Sequence, residues 1–348
     1  MAVLKHKTPI GVFLVLMGVT NVSLAFTLEN GAPIIAKWYG NKAAAVSLRF
    51  DDSTDSHVNY VIPELNKYGI KATFMINPGL GRYQKNKDFW EQEVPRSGHQ
   101  LGNHTMHHRG AKTPEEADYE IGEVSRLIWR LHPDKSKLLV FASGGGGVRW
   151  GGRDWEKASK EYKELVKKYF LIDLYDGRHP ALGANPKDGD DEIIRSIEKG
   201  ISERGHQAIA FHDIGNPDLI DYLRWIYRGY KLTLSRESFR KTIEFLHAKK
   251  NDVWTAPLGD VLKYEAEREG ARLNILSKSP ENVRVGLTVD TDAELYDHNL
   301  TVIIPWKGNP PAKSIVQEGH RIDQFTNGSH SIQFSVRPVS SIIDIRFK

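Results

Sequence analysis

Two carboxylates stand side by side in Phe50-Asp51-Asp52, and three histidines crowd the segment Asn103-His104-Thr105-Met106-His107-His108. Adjacent aspartates at the end of an extended run point to opposite sides and repel each other unless something neutralises one of them. A metal ion on one and a proton-accepting role for the other resolve the conflict; capping of the next helix is the plain alternative. His104 and His108 are four residues apart, a spacing that brings two imidazoles onto one ion in a helical or tightly looped segment. His104 with His107 offers a three-residue spacing instead. With no cysteine in the chain, thiolate ligands and disulfides are excluded, and a zinc site would need His, Asp or Glu. A His/His/Asp set is open, leaving one position for water or substrate. His212 closes the apolar run Ala208-Ile209-Ala210-Phe211. At a strand mouth it is a candidate general acid, and taken alone it reads as a core or capping histidine.

These residues need elements to bring them together. From about Lys42 to Tyr264, short apolar runs (44–50, 71–77, 100–103, 137–143, 170–175 and 207–212) alternate with amphipathic stretches at 115–131, 190–204 and 236–249. Strand and helix in alternation predict parallel strands with helical crossovers, as a barrel or an open sheet. Asp51, Asp52 and His212 then lie at carboxyl ends of strands, where active sites of such folds collect. After about Gly270 the helical period disappears. Alternating runs at 283–289, 300–304, 331–336 and 342–347, separated by turn residues, predict a small β-sandwich.

The 348 residues are 40% hydrophobic and 26% charged, with a formal net charge of +4. That balance fits a folded protein and gives no sign of a nucleic-acid partner. Lys5 and Lys7 before the apolar run from Ile10, followed by Ser23-Leu24-Ala25, predict a cleaved secretory signal over 1–25 and a secreted or periplasmic protein without a stable membrane span. The expected domains are therefore 26–270 and a β-sandwich over 271–348.

The segments Ala45-Val46-Ser47-Leu48-Arg49-Phe50-Asp51-Asp52 and Ser97-Gly98-His99-Gln100-Leu101-Gly102-Asn103-His104-Thr105-Met106-His107-His108, with a late strand ending in His212, resemble the signature motifs of the polysaccharide deacetylases, the NodB-like carbohydrate esterases of family four. The resemblance runs from about Trp38 to Tyr264. It implies a distorted parallel (β/α) barrel, with Asp51 as general base, Asp52, His104 and His108 as ligands of a divalent ion, usually zinc, and His212 as general acid. His107 becomes a neighbour. Asp176, in Asp173-Leu174-Tyr175-Asp176, would orient His212, with Asp173 as a competing candidate. Two departures stand out. Gly177 replaces the usual Trp, and the third motif's Arg and Pro are missing from Phe141-Ala142-Ser143-Gly144-Gly145-Gly146-Gly147. Arg149 is the nearby candidate to replace that Arg, and a backbone N–H near Gly145 is a candidate oxyanion donor.

The activity implied is removal of acetyl groups, N-acetyl first, from an acetylated polysaccharide such as peptidoglycan or a chitin-like glycan. O-acetyl esterase action on xylan-type glycans, and a carbohydrate-binding protein impaired in catalysis, are the alternatives. Trp306 in the terminal region is a candidate sugar platform, though core or edge packing is its commoner use.

Overall fold

The computed structural model describes residues 31–144, 160–184, 189–216, 223, 233–306 and 310–347. The expected signal segment, Gly145 to Gly147 and Arg149 lie outside the described residues.

After a short β1 (Ile34–Ile35), β2 (Ala44–Asp51) is buried along its whole length, as a strand covered on both faces must be. Around it lie β3 (Thr73–Ile76), β4 (Gln100–Asn103), β5 (Leu139–Phe141), β6 (Leu171–Asp173), β7 (Ala181–Gly183) and β8 (His206–Phe211). They form a parallel sheet in the order β6-β5-β4-β3-β2-β8-β7. A separate parallel pair joins β9 (Asp213–Gly215) to β10 (Thr233–Ser235). A further strand, β11 (Val253–Thr255), pairs with the amino half of β2 on the edge whose carboxyl half is taken by β3. Among the described residues β6 and β7 do not pair with each other. The result is the expected distorted parallel barrel, left open on one side.

Period-two alternation divides β2 between two environments. Val46, Leu48 and Phe50 face the main core, where Phe50 stacks between Phe74 and Phe211 at centroid distances of 5.1 and 5.0 Å. Ser47, Arg49 and Asp51 take the alternate positions toward the barrel interior, and all three are buried. The helix Pro114–Leu131 buries Ala117, Ile121, Val124 and Ile128 against this core, one stripe at helical spacing. Its start is set by Pro114 and by Thr113, whose hydroxyl accepts the Glu116 N–H at 3.2 Å.

Downstream, the helix Leu258–Gly270 runs directly into β12 (Ala271–Lys278). It is followed by β13 (Asn282–Val289), β14 (Leu300–Pro305), β15 (Ser314–Gln317), β16 (His320–Ile322), β17 (Phe325–Asn327), β18 (Ser331–Val336) and β19 (Ser341–Arg346). These make two antiparallel sheets, β12-β13-β19-β15-β16 and β1-β14-β18-β17, over a shared core that includes Val285, Val302, Phe334 and Ile345. The second sheet borrows β1 from the start of the described chain. Trp306 stacks on Phe347 at 3.8 Å and donates its indole N–H to the Pro310 carbonyl, so its role here is packing. No helix among the described residues is long and apolar enough to cross a membrane.

Candidate metal centre and active site

The carboxyl ends of β2, β4, β5 and β8 converge, and with them the residues that follow each strand. Asp52 follows β2 with φ +81°, and Ser53 with +51°; Thr105 and His108 after β4 have φ +67° and +56°. Left-handed backbone at non-glycine residues costs about 1–3 kcal/mol each and persists where surrounding structure imposes it. Here that structure is a dense hydrogen-bond network. Asn77 donates to the carbonyls of His104 and Thr105 at 2.5 and 2.9 Å, and its own N–H is held by Ser53 Oγ at 3.0 Å. Asn103 donates to the Ile121 carbonyl at 2.8 Å and accepts from the Thr105 N–H at 3.0 Å. From the helix Pro114–Leu131, buried Glu120 accepts the His107 N–H at 2.7 Å and pairs with His107 Nδ1 at 2.8 Å. His107 is thereby committed to holding the loop.

Asp52, His104 and His108 present ligand atoms all within 4.8 Å of one another. Asp52 Oδ1 lies 3.5 Å from His104 Nε2 and 3.1 Å from His108 Nε2. Ligands about 2.0–2.1 Å from a tetrahedral ion are separated by about 3.4 Å, so these spacings suit one small divalent cation. His104, 2% exposed, sets its Nδ1 2.9 Å from the Ala142 carbonyl, an arrangement that puts the proton on Nδ1 and the lone pair on Nε2. Asp52 Oδ1 is buried without a hydrogen-bond partner, another mark of a cation site. Burial opposes ionisation of Asp52, but His104, His108 and the Arg82 guanidinium at 3.5 Å hold its carboxyl well below the usual carboxylate range. Gly144, at φ +69°, lies against the His108 ring: a Cβ there would sit 2.6 Å from His108 Cδ2. This close approach explains the first glycine of the run.

Asp51 is 1% exposed. One of its oxygens, Oδ2, receives Arg49 Nη2 at 2.8 Å, while Oδ1 is buried and has no hydrogen-bond donor. Burial raises its pKa, and Arg49, His104 and His212 outweigh that to leave it below the ordinary value. The sequence reading missed Arg49. A charged residue two before Asp51 in a buried strand shares its face, and that was the available signal.

His212 follows β8, and its backbone carbonyl lies 2.5 Å from Nε2 of the fully buried His57. Burial pushes His57 down to about 4, so it is neutral at physiological pH. The expected Asp176–His212 hydrogen bond is not formed. Arg178, two residues on in the same turn, takes the Asp176 carboxylate at 2.6 Å through Nε, and His212 Nδ1 has no hydrogen-bond partner among the described residues. Asp173 is engaged by the Tyr162 hydroxyl at 2.6 Å and the Tyr175 N–H at 3.0 Å.

Comparison with known proteins bears on the same segments. Residues 39–151 match the family model for polysaccharide deacetylase. Among curated relatives, a gellan lyase of a Bacillus species is 21% identical over 79% of this chain and 11% of its own length. A peptidoglycan-N-acetylglucosamine deacetylase of Bacillus cereus is 25% identical over 51% of this chain and 76% of its own. Thus the chain spans about a tenth of the first relative and three quarters of the second. Among solved structures, a mutant peptidoglycan deacetylase of Bacillus subtilis is 18% identical, covering 66% of this chain and 95% of that one at a TM-score of 0.42. The matched residues, 39–151, carry Asp51, Asp52, His104 and His108, so the likeness to polysaccharide deacetylases covers this candidate site.

Proposed function

We propose that this protein hydrolyses acetyl groups from a polysaccharide, N-acetyl groups of a peptidoglycan-like or chitin-like glycan first among them, outside the cytoplasm. The observation that carries the reading is the convergence of Asp52, His104 and His108 beside a buried carboxylate, Asp51, that keeps one oxygen free of hydrogen bonds.

Asp52, His104 and His108 would hold the divalent ion, zinc by the chemistry of the donor set. When bound, such an ion lowers the pKa of water to about 7 and polarises an acyl carbonyl. Asp51 Oδ1 accepts the proton of the attacking water. His212, anchored by His57 at the next strand mouth, donates a proton to the sugar amine as the C–N bond breaks. Water and amide become acetate and free amine, and the glycan chain stays intact. Asp176 takes no part in this scheme, since Arg178 holds it.

The test is acetate release from N-acetylated glycans, measured alongside new reducing ends. Acetate without chain cleavage, abolished by chelator and restored by zinc, is the expected result, with Asp51→Asn lowering kcat by about 100-fold or more. Chain cleavage without acetate overturns the reading.

A further inference from the structure

We infer that Arg49 is the positioning residue of this active site, presenting Asp51 to the reacting water; the inference rests on the deacetylase reading. In β2 the two residues share the inner face, and the guanidinium takes Asp51 Oδ2 at 2.8 Å. That leaves Oδ1 as the oxygen available to accept a proton. A carboxylate with a free torsion would present either oxygen in turn; one pinned through Oδ2 presents one, in one direction.

The guanidinium is itself held. Arg49 is 6% exposed, and its guanidinium carbon lies 6.0 Å from the ring centroid of Tyr175, which sits on the loop after β6. Tyr175 itself is 48% exposed. An ion pair this deep has a high desolvation cost and adds little net stability, so fixing a geometry is a better account of it than strengthening the fold. It also answers the departure at β5: where the family motif brings an Arg from that strand, this chain has Ala142, fully buried, whose carbonyl serves His104. Among the described residues, the arginine that contacts Asp51 comes from the strand that carries the aspartate.

Acting through Asp51 alone, Arg49 should affect the chemical step and spare both metal and substrate binding. The experiment compares Arg49→Met, Arg49→Lys, Asp51→Asn and the Arg49→Met/Asp51→Asn double variant in the full chain, reading kcat and KM for acetate release, bound zinc and the melting midpoint. Misplacing a catalytic group by about 1 Å costs about 100-fold, so Arg49→Met should lose about that factor in kcat, with KM and zinc stoichiometry unchanged. Arg49→Lys keeps the charge without the planar fork and should fall between. In the Asp51→Asn background, adding Arg49→Met should cost nothing further, since residues acting as a unit do not add.

An active parent whose Arg49→Met variant keeps kcat within about threefold overturns this inference and leaves the deacetylase reading standing. Losses that multiply in the double variant, or zinc lost with Arg49, also overturn it. Should Arg49→Met fail to fold, Arg49→Lys decides: kcat equal to the parent's overturns the inference, and a fall in kcat at constant KM supports it. A parent that releases no acetate from any N-acetylated glycan overturns both.

Discussion

At Asp52, Ser53, Thr105 and His108, backbone strain and chemistry coincide. Each has positive φ, and each lies within two residues of a predicted ligand or is one. The turns place Asp52, His104 and His108 on one point, and Gly144 allows it by having no side chain where His108 lies. Gly144→Ala should therefore displace the His108 ring and weaken zinc binding by about 10- to 100-fold, the usual cost of disturbing what supports a ligand. The same substitution strains a backbone at φ +69°. Competition with a zinc chelator measures the affinity; an unchanged constant would mean that the loop yields instead of the imidazole. At this scale the three ligand candidates were legible from residue type and spacing, and the resemblance chose His108 over His107. The Arg178 pairing of Asp176 was not legible, since a pairing two residues apart leaves no pattern that singles it out.

The longer elements were legible because their burial follows one period. The predicted 115–131 and 236–249 correspond to helices Pro114–Leu131 and Arg236–Ala248, and the predicted 44–50 to β2. Strands of two or three residues such as β1, β7 and β11 are too short to show alternation, and their pairing depends on partners far along the chain. Helix Leu258–Gly270 carries a buried acid that its pattern does not announce. Glu267 is fully buried, accepts the His298 N–H at 2.8 Å through Oε1, and leaves Oε2 without a partner. Burial, with Asp297 and Asp260 nearby, pushes it up to about 8 from 4.5. The unfolded chain releases this proton near the lower value while the folded chain keeps it. Stability therefore falls as pH rises between the two values, and the loss levels off above the upper one. Glu267→Gln keeps an acceptor for His298 and removes the ionisation, so its melting midpoint should gain on the parent's between pH 5 and pH 8. Parallel pH profiles for the two proteins would show that Glu267 ionises normally.

For the whole molecule, the barrel and the terminal sheets are joined by more than the chain connection. β1 crosses from one to the other to pair with β14, and Ala36 exchanges further bonds with the far side: its N–H donates to the Thr301 carbonyl at 2.8 Å, and its carbonyl accepts the Tyr264 hydroxyl at 2.7 Å. Tyr39, Trp254, Tyr264 and His298 pack ring against ring, at centroid distances from 5.0 to 6.3 Å. Lys263 reaches Asp297 at 2.7 Å and is nearly buried there. Cutting after residue 270 would strip β14 from β1 and open this aromatic seam to water. Each large side chain so exposed costs about 1.5–3 kcal/mol, against a total stability of about 5–15 kcal/mol for a typical domain. Residues 26–270 alone should therefore melt at least about 10 °C below the full chain, or precipitate, even though Asp52, His104 and His108 are all retained. The full chain should unfold in one transition. Calorimetry of both proteins checks the claim, and two separate transitions in the full chain, one matching the midpoint of 26–270, would mean that the seam holds the parts together without coupling their stability.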